Sequence, residues 1–207
     1  MFYLLDLDGV VVFYRFEQDV WANRVPQKVS ELKHIPLHEA KNYCFQMYEQ
    51  YRGTIYWSDI EHWSNLFGFD LLKLYDEVKI YPDAMRLLRR IKEMNHKAVI
   101  VTASFPRVNE RKTSQIRDLI YRIYSVFDFK TTKEDPEFFS SVLSSLNTTP
   151  EECVFVDDII TNVLTGRRAG IKSVWLWRKE EMNEIELNDL KKYRNEPHIT
   201  SLDELIL

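Results

Sequence analysis

Glycine is scarce in this chain of 207 residues: it occurs five times and never as GxGxxG, so the tight turn that cradles a dinucleotide pyrophosphate is missing. Cysteine is scarcer still. Cys44 and Cys153 lie far apart in apolar surroundings, which reads as two reduced core thiols and disfavours a disulfide framework or a cysteine-built metal cluster. No apolar run approaches the roughly 18 residues needed to cross a bilayer, so no membrane partner is expected. Positive charge is not in excess either. With 28 Lys and Arg against 32 Asp and Glu, the formal net charge of −4 argues against a nucleic-acid backbone as the main partner. The opening residues read as a strand and lack a basic leader with an apolar centre, so the expected location is the cytoplasm. Internal repeats and low-complexity tracts are lacking too, and nothing in the sequence speaks to oligomeric state.

What the chain does have is the composition of a soluble globular protein, 45% hydrophobic and 29% charged. Five short apolar runs read as strands: FYLL at 2–5, KAVIVTAS at 97–104, SVFDF at 125–129, ECVFVDD at 152–158 and IKSVWLW at 171–177. Helical patterns lie between them. In PDAMRLLRRIKEMN, residues Ala84, Leu88, Ile91 and Met94 recur at helical spacing behind Pro82, and PEFFSSVLSSLN repeats the device with Phe139, Val142, Leu143 and Leu146 behind Pro136. Strands alternating with helices imply right-handed crossovers, hence an α/β fold with a doubly wound, mainly parallel sheet. Such sheets bind ligands beyond the carboxyl ends of their strands. Asp6, Thr102 and Asp157 all stand where an apolar run stops.

Residues 14–80 read differently, as helices with no strand between them. LHEAKNYCFQMYEQY places Leu37, Ala40, Cys44, Met47 and Tyr51 on one stripe, and SDIEHWSNLFG opens with a capping box of Ser58 and Glu61 and closes at Gly68. The expected organisation is a core of residues 1–13 and 81–207 with a small all-helical cap, 14–80, inserted after the first strand. Aromatics of the insert, among them Trp21, Tyr43, Tyr48, Tyr51, Tyr56, Trp57 and Trp63, are read as packing, not as a base-stacking platform. His34 and His38 have the spacing of a helix-borne metal pair, but Pro36 between them would break that helix. The basic stretch after Thr102 reads as the solvated face of a helix, with Arg107 close enough to the strand end to meet a substrate. From Arg178 onward the chain reads as a surface excursion that ends in a docked helix over LDELIL.

The chemistry is concentrated in DLDGV. Asp6 and Asp8 put two carboxylates at the exit of a buried strand, where like charges repel unless a cation or a proton resolves them. Taken one at a time, Asp6, Asp8, Thr102 and Lys133 could be a turn, a cap, a strand end and an exposed charge; their recurrence at strand ends argues against that account for the set. Asp6 and Asp8 in DLDGV, Thr102 in VIVTAS, Lys133 in KEDPEFF, and Asp157 and Asp158 in VFVDD resemble, in order and spacing, the four signature motifs of the haloacid dehalogenase superfamily of phosphohydrolases. The resemblance covers residues 1–13 and 80–177. It departs from the common pattern in Tyr3, Leu4 and Leu5 ahead of Asp6 and in Glu134, which replaces a proline after the lysine.

The resemblance implies a Rossmann-type core and a phosphatase. Asp6 is the expected nucleophile, since a carboxylate beside a hard cation can attack phosphorus and split one hydrolysis into two displacements. Asp8, two residues on along an extended backbone, is the expected general acid and base, and Gly9 lets the chain turn away close to the site. The Thr102 hydroxyl, backbone N–H groups beside it at Ala103, and Lys133 are expected to hold the phosphoryl oxygens. Magnesium is the implied cofactor, held by Asp6, the Asp8 carbonyl and an acid of the last motif. Matching the motif gives Asp158 as direct ligand and Asp157 as the residue acting through water, with the reverse assignment open; Asn162 would support the Lys133 loop or the surrounding shell.

The expected function is therefore Mg-dependent hydrolysis of a small phosphorylated metabolite, such as a sugar or triose phosphate, phosphoglycolate or a nucleoside monophosphate, through an aspartyl phosphate. A phosphomutase shares every core residue and stands as the alternative. A haloacid dehalogenase has no need of an acid at Asp8, and a non-catalytic binding relative has no need of the intact acid set. Selectivity is expected to reside in the insert acting as a lid, with Tyr48, Arg52 and Tyr56 as candidate contacts.

Overall fold

The computed structural model describes residues 1–52, 54–76, 78–178, 192–193 and 195–205. Its centre is a six-stranded parallel sheet: β1 Phe2–Leu5, β2 Lys97–Thr102, β3 Arg122–Ser125, β4 Cys153–Asp157, β5 Lys172–Leu176 and β6 His198–Ile199. The strands lie in the order β3-β2-β1-β4-β5-β6, so the chain winds outward from β1 to one side and then, from β4, to the other. This is the doubly wound parallel arrangement expected from the alternation of runs, and its switch point falls between β1 and β4. Register pairs Leu4 with Val99 on one side and Phe155 on the other.

Burial on both faces explains why the strands read as continuous apolar runs rather than alternating ones. Leu4, Val99, Val101, Tyr124 and Phe155 share one face and form a core with Phe138, Phe139, Val142 and Leu143 of α8, Pro136–Leu146. Tyr3, Leu5, Ile100 and Val156 point the other way and are buried as well. Helix α5, Pro82–Glu93, buries Ala84, Leu87, Leu88 and Ile91, while Met94 lies just past its end and is exposed. Helix α9, Ile160–Arg168, comes close to β4, and a Cβ at Gly166 would lie 2.8 Å from a Phe155 ring carbon and 2.5 Å from Ser173 Oγ.

The structure corrects several sequence expectations. SVFDF is not a strand: β3 is the preceding RIYS, and Val126–Phe129 is one helical turn, α7. Ser125 Oγ accepts from Phe127 N–H while Asp128 Oδ2 accepts from Ser125 N–H at 2.7 Å, so a capping box overrides the β-type composition of the run. The docked C-terminal helix is a single 3₁₀ turn, Leu202–Glu204, and Leu202 and Leu205 are buried there; Ile206, Leu207 and most of the excursion after Arg178 lie outside the described residues.

Contacts gather the chain into two units. One comprises Met1–Tyr14, Ile80–Ala103 and Gln115–Leu207 and holds the sheet; the other comprises Arg15–Lys79 with Ser104–Ser114. In the second unit the described elements are helical: α1 Tyr14–Asp19, whose first residue belongs to the first unit, running into a π-helical turn, α2 Val25–Lys33, α3 Leu37–Tyr51, α4 Ile60–Phe67 and α6 Pro106–Thr113. His34 ends α2 in a left-handed conformation and Pro36 caps α3, so the two histidines do sit on different segments. The buried stripe of α3 is Ala40, Cys44 and Tyr48, rotated from the one expected, with Leu37 exposed. Helix α4 is capped by Asp59, whose carboxylate accepts from Glu61 and His62 N–H, and not by Ser58; Gly68 closes it with φ +79°. Trp63 is buried amid Trp21, Tyr48, Tyr51 and Phe67, with edge-to-face or stacked ring centroids 5.3–5.9 Å apart. Helix α6 joins this unit through Lys112, whose buried ammonium lies 2.7 Å from Glu17 Oε2 and donates to Ser104 Oγ at 3.1 Å. Glu17 Oε1 in turn accepts from Trp21 Nε1 and the Tyr75 hydroxyl at 2.7 and 2.8 Å.

Phe155 touches both the sheet core and α9, so its truncation leaves a cavity that neither can fill. Phe155→Ala is expected to cost about 3–5 kcal/mol of folding free energy in urea denaturation; a cost under about 1 kcal/mol would show that this face of the core is not closely packed.

Candidate active site

The site is built at the carboxyl ends of the central strands. Asp6 follows β1, and its N–H donates to Val156 O at 2.9 Å, extending the β1–β4 ladder by one residue. That bond places Asp6 beside Asp157, the last residue of β4, while Thr102 ends the neighbouring β2 and is buried. The ligand-binding position expected of a doubly wound sheet is therefore filled with carboxylates.

One cation sits among them. Lys133, in the turn before α8, is buried, and its Nζ lies 2.5 Å from Asp6 Oδ1 and 2.8 Å from Asp157 Oδ2. Asp157 is saturated from other directions too: Ile159 N–H donates to Oδ1 at 2.8 Å and Asn162 Nδ2 lies 3.1 and 3.2 Å from the two oxygens. Asn162 thus holds the carboxylate that holds Lys133. Burial pushes the Asp6 carboxyl up; Lys133 opposes this and Asp157 and Asp8 add to it, leaving the group at about 7. Burial disfavours the Lys133 ammonium, yet Asp157 and Asp6 override it and raise its pKa, so the lysine stays charged.

Asp158 completes the cluster. One carboxylate oxygen each of Asp6, Asp157 and Asp158 lie within 4.8 Å of one another. Gly9 makes room for this: its φ is +82°, and a Cβ there would stand 2.1 Å from Asp158 Oδ2. Only glycine allows that approach in that conformation. Trp175 Nε1 fixes the backbone by donating to Asp158 O at 2.9 Å. Among the described residues one ammonium faces three carboxylates, so with all three ionised two negative charges remain, which a hard divalent cation with oxygen ligands would balance. The donor set and its spacing fit such an ion.

Asp8 is half-buried at the head of a tight turn. Val11 and Val12 N–H both donate to Leu7 O, and Gly9 N–H donates to Val12 O at 2.9 Å. Ala103 lies just past β2 and is exposed. Sequence reasoning missed Arg178 and Asp83 in this neighbourhood. Arg178, two residues beyond β5, donates to Gly9 O and Val10 O at 3.0 and 3.1 Å and grips Asp83 at 2.9 and 3.0 Å. Burial acts to raise the Asp83 pKa, but hydrogen bonds from Arg178, Leu202 N–H and Ser201 hold it below the ordinary carboxylate value. The available signal was a lone arginine at a strand exit, which carries no motif of its own.

Arg107 is exposed and pairs with Glu61 at 3.3 Å, and Arg52 pairs with Glu49 and lies over the Trp57 ring. Tyr48 is a core residue whose hydroxyl donates to Trp21 O at 3.0 Å, whereas Tyr56 is exposed. Cys44 and Cys153 are buried thiols outside any disulfide. No helix among the described residues is long and apolar enough to cross a membrane.

Comparison with known proteins bears on the family and the fold. The family model of the haloacid dehalogenase-like hydrolases matches residues 3–170. The GMP/IMP nucleotidase YrfG of Escherichia coli (strain K12) is 23% identical over 164 residues, covering 75% of this chain and 72% of its own. Validoxylamine A 7'-phosphate phosphatase of Streptomyces hygroscopicus subsp. limoneus is 26% identical over 222 residues, covering 95% of this chain and 96% of its own. A crystal structure of a HAD phosphatase from Thermococcus onnurineus superposes with a TM-score of 0.78 at 23% identity, over 98% of this chain and 94% of that one.

Titration of Asp6 yields a stability prediction. Without a divalent ion, a carboxyl raised to about 7 when folded favours the folded state at low pH, an advantage lost as pH rises from the unfolded value near 4 through about 7. A cation that binds ionised Asp6 recovers the loss. Magnesium is therefore expected to raise Tm more at pH 8 than at pH 5.5 in thermal unfolding, and equal shifts at the two pH values would contradict the assignment.

Proposed function

The chain belongs to the haloacid dehalogenase-like hydrolases, and we propose that it is a magnesium-dependent phosphatase of small organic phosphate monoesters, working through a phosphorylated Asp6. The observation that carries this reading is the buried Lys133 ammonium 2.5 Å from Asp6 Oδ1 at the end of the central strand, with Asp157 and Asp158 gathered around it. The relatives' names differ in the molecule acted on, GMP and IMP in one and validoxylamine A 7'-phosphate in the other. What those names share is an ester of phosphate with a small organic molecule, and that shared part is what we extend to this chain.

In this reading an Asp6 oxygen attacks phosphorus, a new P–O bond forms to the carboxylate and the bond to the organic alkoxide breaks. Asp8 gives its proton to that alkoxide. In the second half Asp8 takes a proton from water as the water oxygen bonds to phosphorus, and the bond to Asp6 breaks to release inorganic phosphate. Lys133 neutralises charge on Asp6 and the phosphoryl oxygens, while the Thr102 hydroxyl and the N–H groups beside it at Ala103 orient those oxygens. Asp157 keeps Lys133 in place, and Asn162 keeps Asp157 in place. Asp6, the Asp8 carbonyl and Asp158 would hold magnesium, with Asp157 behind them, because the two Asp157 oxygens already accept from Lys133, Asn162 and Ile159. The ion would supply charge neutralisation at the nucleophile and the phosphate. The helical insert, 14–80, is proposed to select the organic part of the substrate.

Asp6→Asn is expected to lower kcat for p-nitrophenyl phosphate with magnesium by about a thousandfold or more, since a nucleophile's removal leaves only binding and electrostatics. Folding, followed by circular dichroism, should persist. Retention of more than a tenth of the activity would sink the phosphatase mechanism. A panel of nucleoside monophosphates, sugar phosphates and phosphoglycolate with the unaltered protein identifies the organic part.

A further inference from the structure

The turn after Asp8 is fastened residue by residue. Val12 O accepts from Gly9 N–H, Val11 O accepts from Tyr81 N–H at 3.0 Å, and the carbonyls of Gly9 and Val10 both accept from Arg178. Buried carbonyls need donors, and here one side chain serves two of them from beyond the end of β5, 169 and 168 residues away in sequence. The guanidinium is itself fixed on three sides. Its Nη1 and Nη2 grip the two oxygens of Asp83, and its central carbon lies 3.7 Å from the centroid of the Tyr81 ring, which stacks on Phe13 at 4.1 Å. Asp83 is anchored in turn by Ser201 Oγ at 3.0 Å and Leu202 N–H at 2.9 Å. A planar fork with donors in fixed directions can do this, and a lysine cannot.

We infer that Arg178, oriented by Asp83 and Tyr81, is a positioning residue for Asp8: by holding the Gly9 and Val10 carbonyls it fixes the turn that aims the Asp8 carboxyl at the leaving oxygen. Asp8 lies between Leu7, whose carbonyl takes two N–H groups of the turn, and Gly9, whose carbonyl takes Arg178 Nε. Loss of the clamp frees one flank of the acid without touching Asp6, Lys133 or Asp157. The inference rests on the reading of Asp8 as general acid.

That chemistry supplies a readout which a purely structural role would not move. Protonation matters most for poor leaving groups, so impaired general acid catalysis lowers kcat/KM more for phenyl phosphate than for p-nitrophenyl phosphate. For a series of aryl phosphates we expect Arg178→Ala to lose roughly tenfold or more with phenyl phosphate and only about threefold with p-nitrophenyl phosphate, in the direction of Asp8→Asn but smaller. Arg178→Lys, which keeps the charge without the fork, should show the same tilt, and it carries the test with Asp83→Asn if the alanine variant does not fold by circular dichroism. A loss equal across the series, or no loss, overturns the inference while leaving Asp8 in place. A flat Asp8→Asn profile overturns the reading of Asp8 itself, and the role of Arg178 falls with it.

Discussion

Three carboxylates crowded beside one another at the ends of buried strands are the constraint on which the rest of this structure depends. Asp6, Asp157 and Asp158 each bring an oxygen within 4.8 Å of the others, and Lys133 answers with a single ammonium. In a desolvated place such crowding is unfavourable unless positive charge offsets it. The negative charge that remains would suit a divalent cation, and in the proposed reading that cation together with Lys133 would offset the charge of a dianionic phosphate. Function and instability here have the same origin.

The fold supplies this crowding through register. Close packing on both sides of the sheet leaves β1 no freedom to slip against β2 or β4, because a one-residue shift would turn Leu4 out of the core it shares with Val99 and Phe155. With that register fixed, Asp6 and Asp157 must emerge side by side. The groups around them divide the support: Asn162 and Ile159 N–H hold Asp157, Gly9 gives Asp158 its space, and Arg178 holds the turn below Asp8. The carboxylates and Lys133 sit on strand ends and short turns and are braced from the sheet core, which is how a site keeps its geometry.

The sheet and the acid set were legible because each rests on local signals. Apolar runs ending in Asp or Thr marked β1, β2 and β4, and prolines at first helical turns marked α5 and α8. What was hidden depended on side chains finding partners across the chain. SVFDF looked like a strand until Ser125 and Asp128 capped each other, and Tyr48 looked like a contact residue until its hydroxyl found Trp21 O. The two-residue β6 carries too little sequence to show a period. Arg178 is the clearest case: nothing near it in sequence reveals that its acceptors are the carbonyls of Gly9 and Val10 and the carboxylate of Asp83. Likewise Lys112 looked like part of a solvated basic face, yet its ammonium is buried against Glu17.

The central claim is that Asp6 itself becomes phosphorylated. Rapid acid quenching during turnover of p-nitrophenyl phosphate, followed by borohydride reduction, converts an aspartyl phosphate to homoserine that peptide mass spectrometry can place. Homoserine is expected at position 6 in the turning-over protein and not in protein kept without substrate. Active protein with no modification at position 6, or with the label on another residue, would contradict the claim.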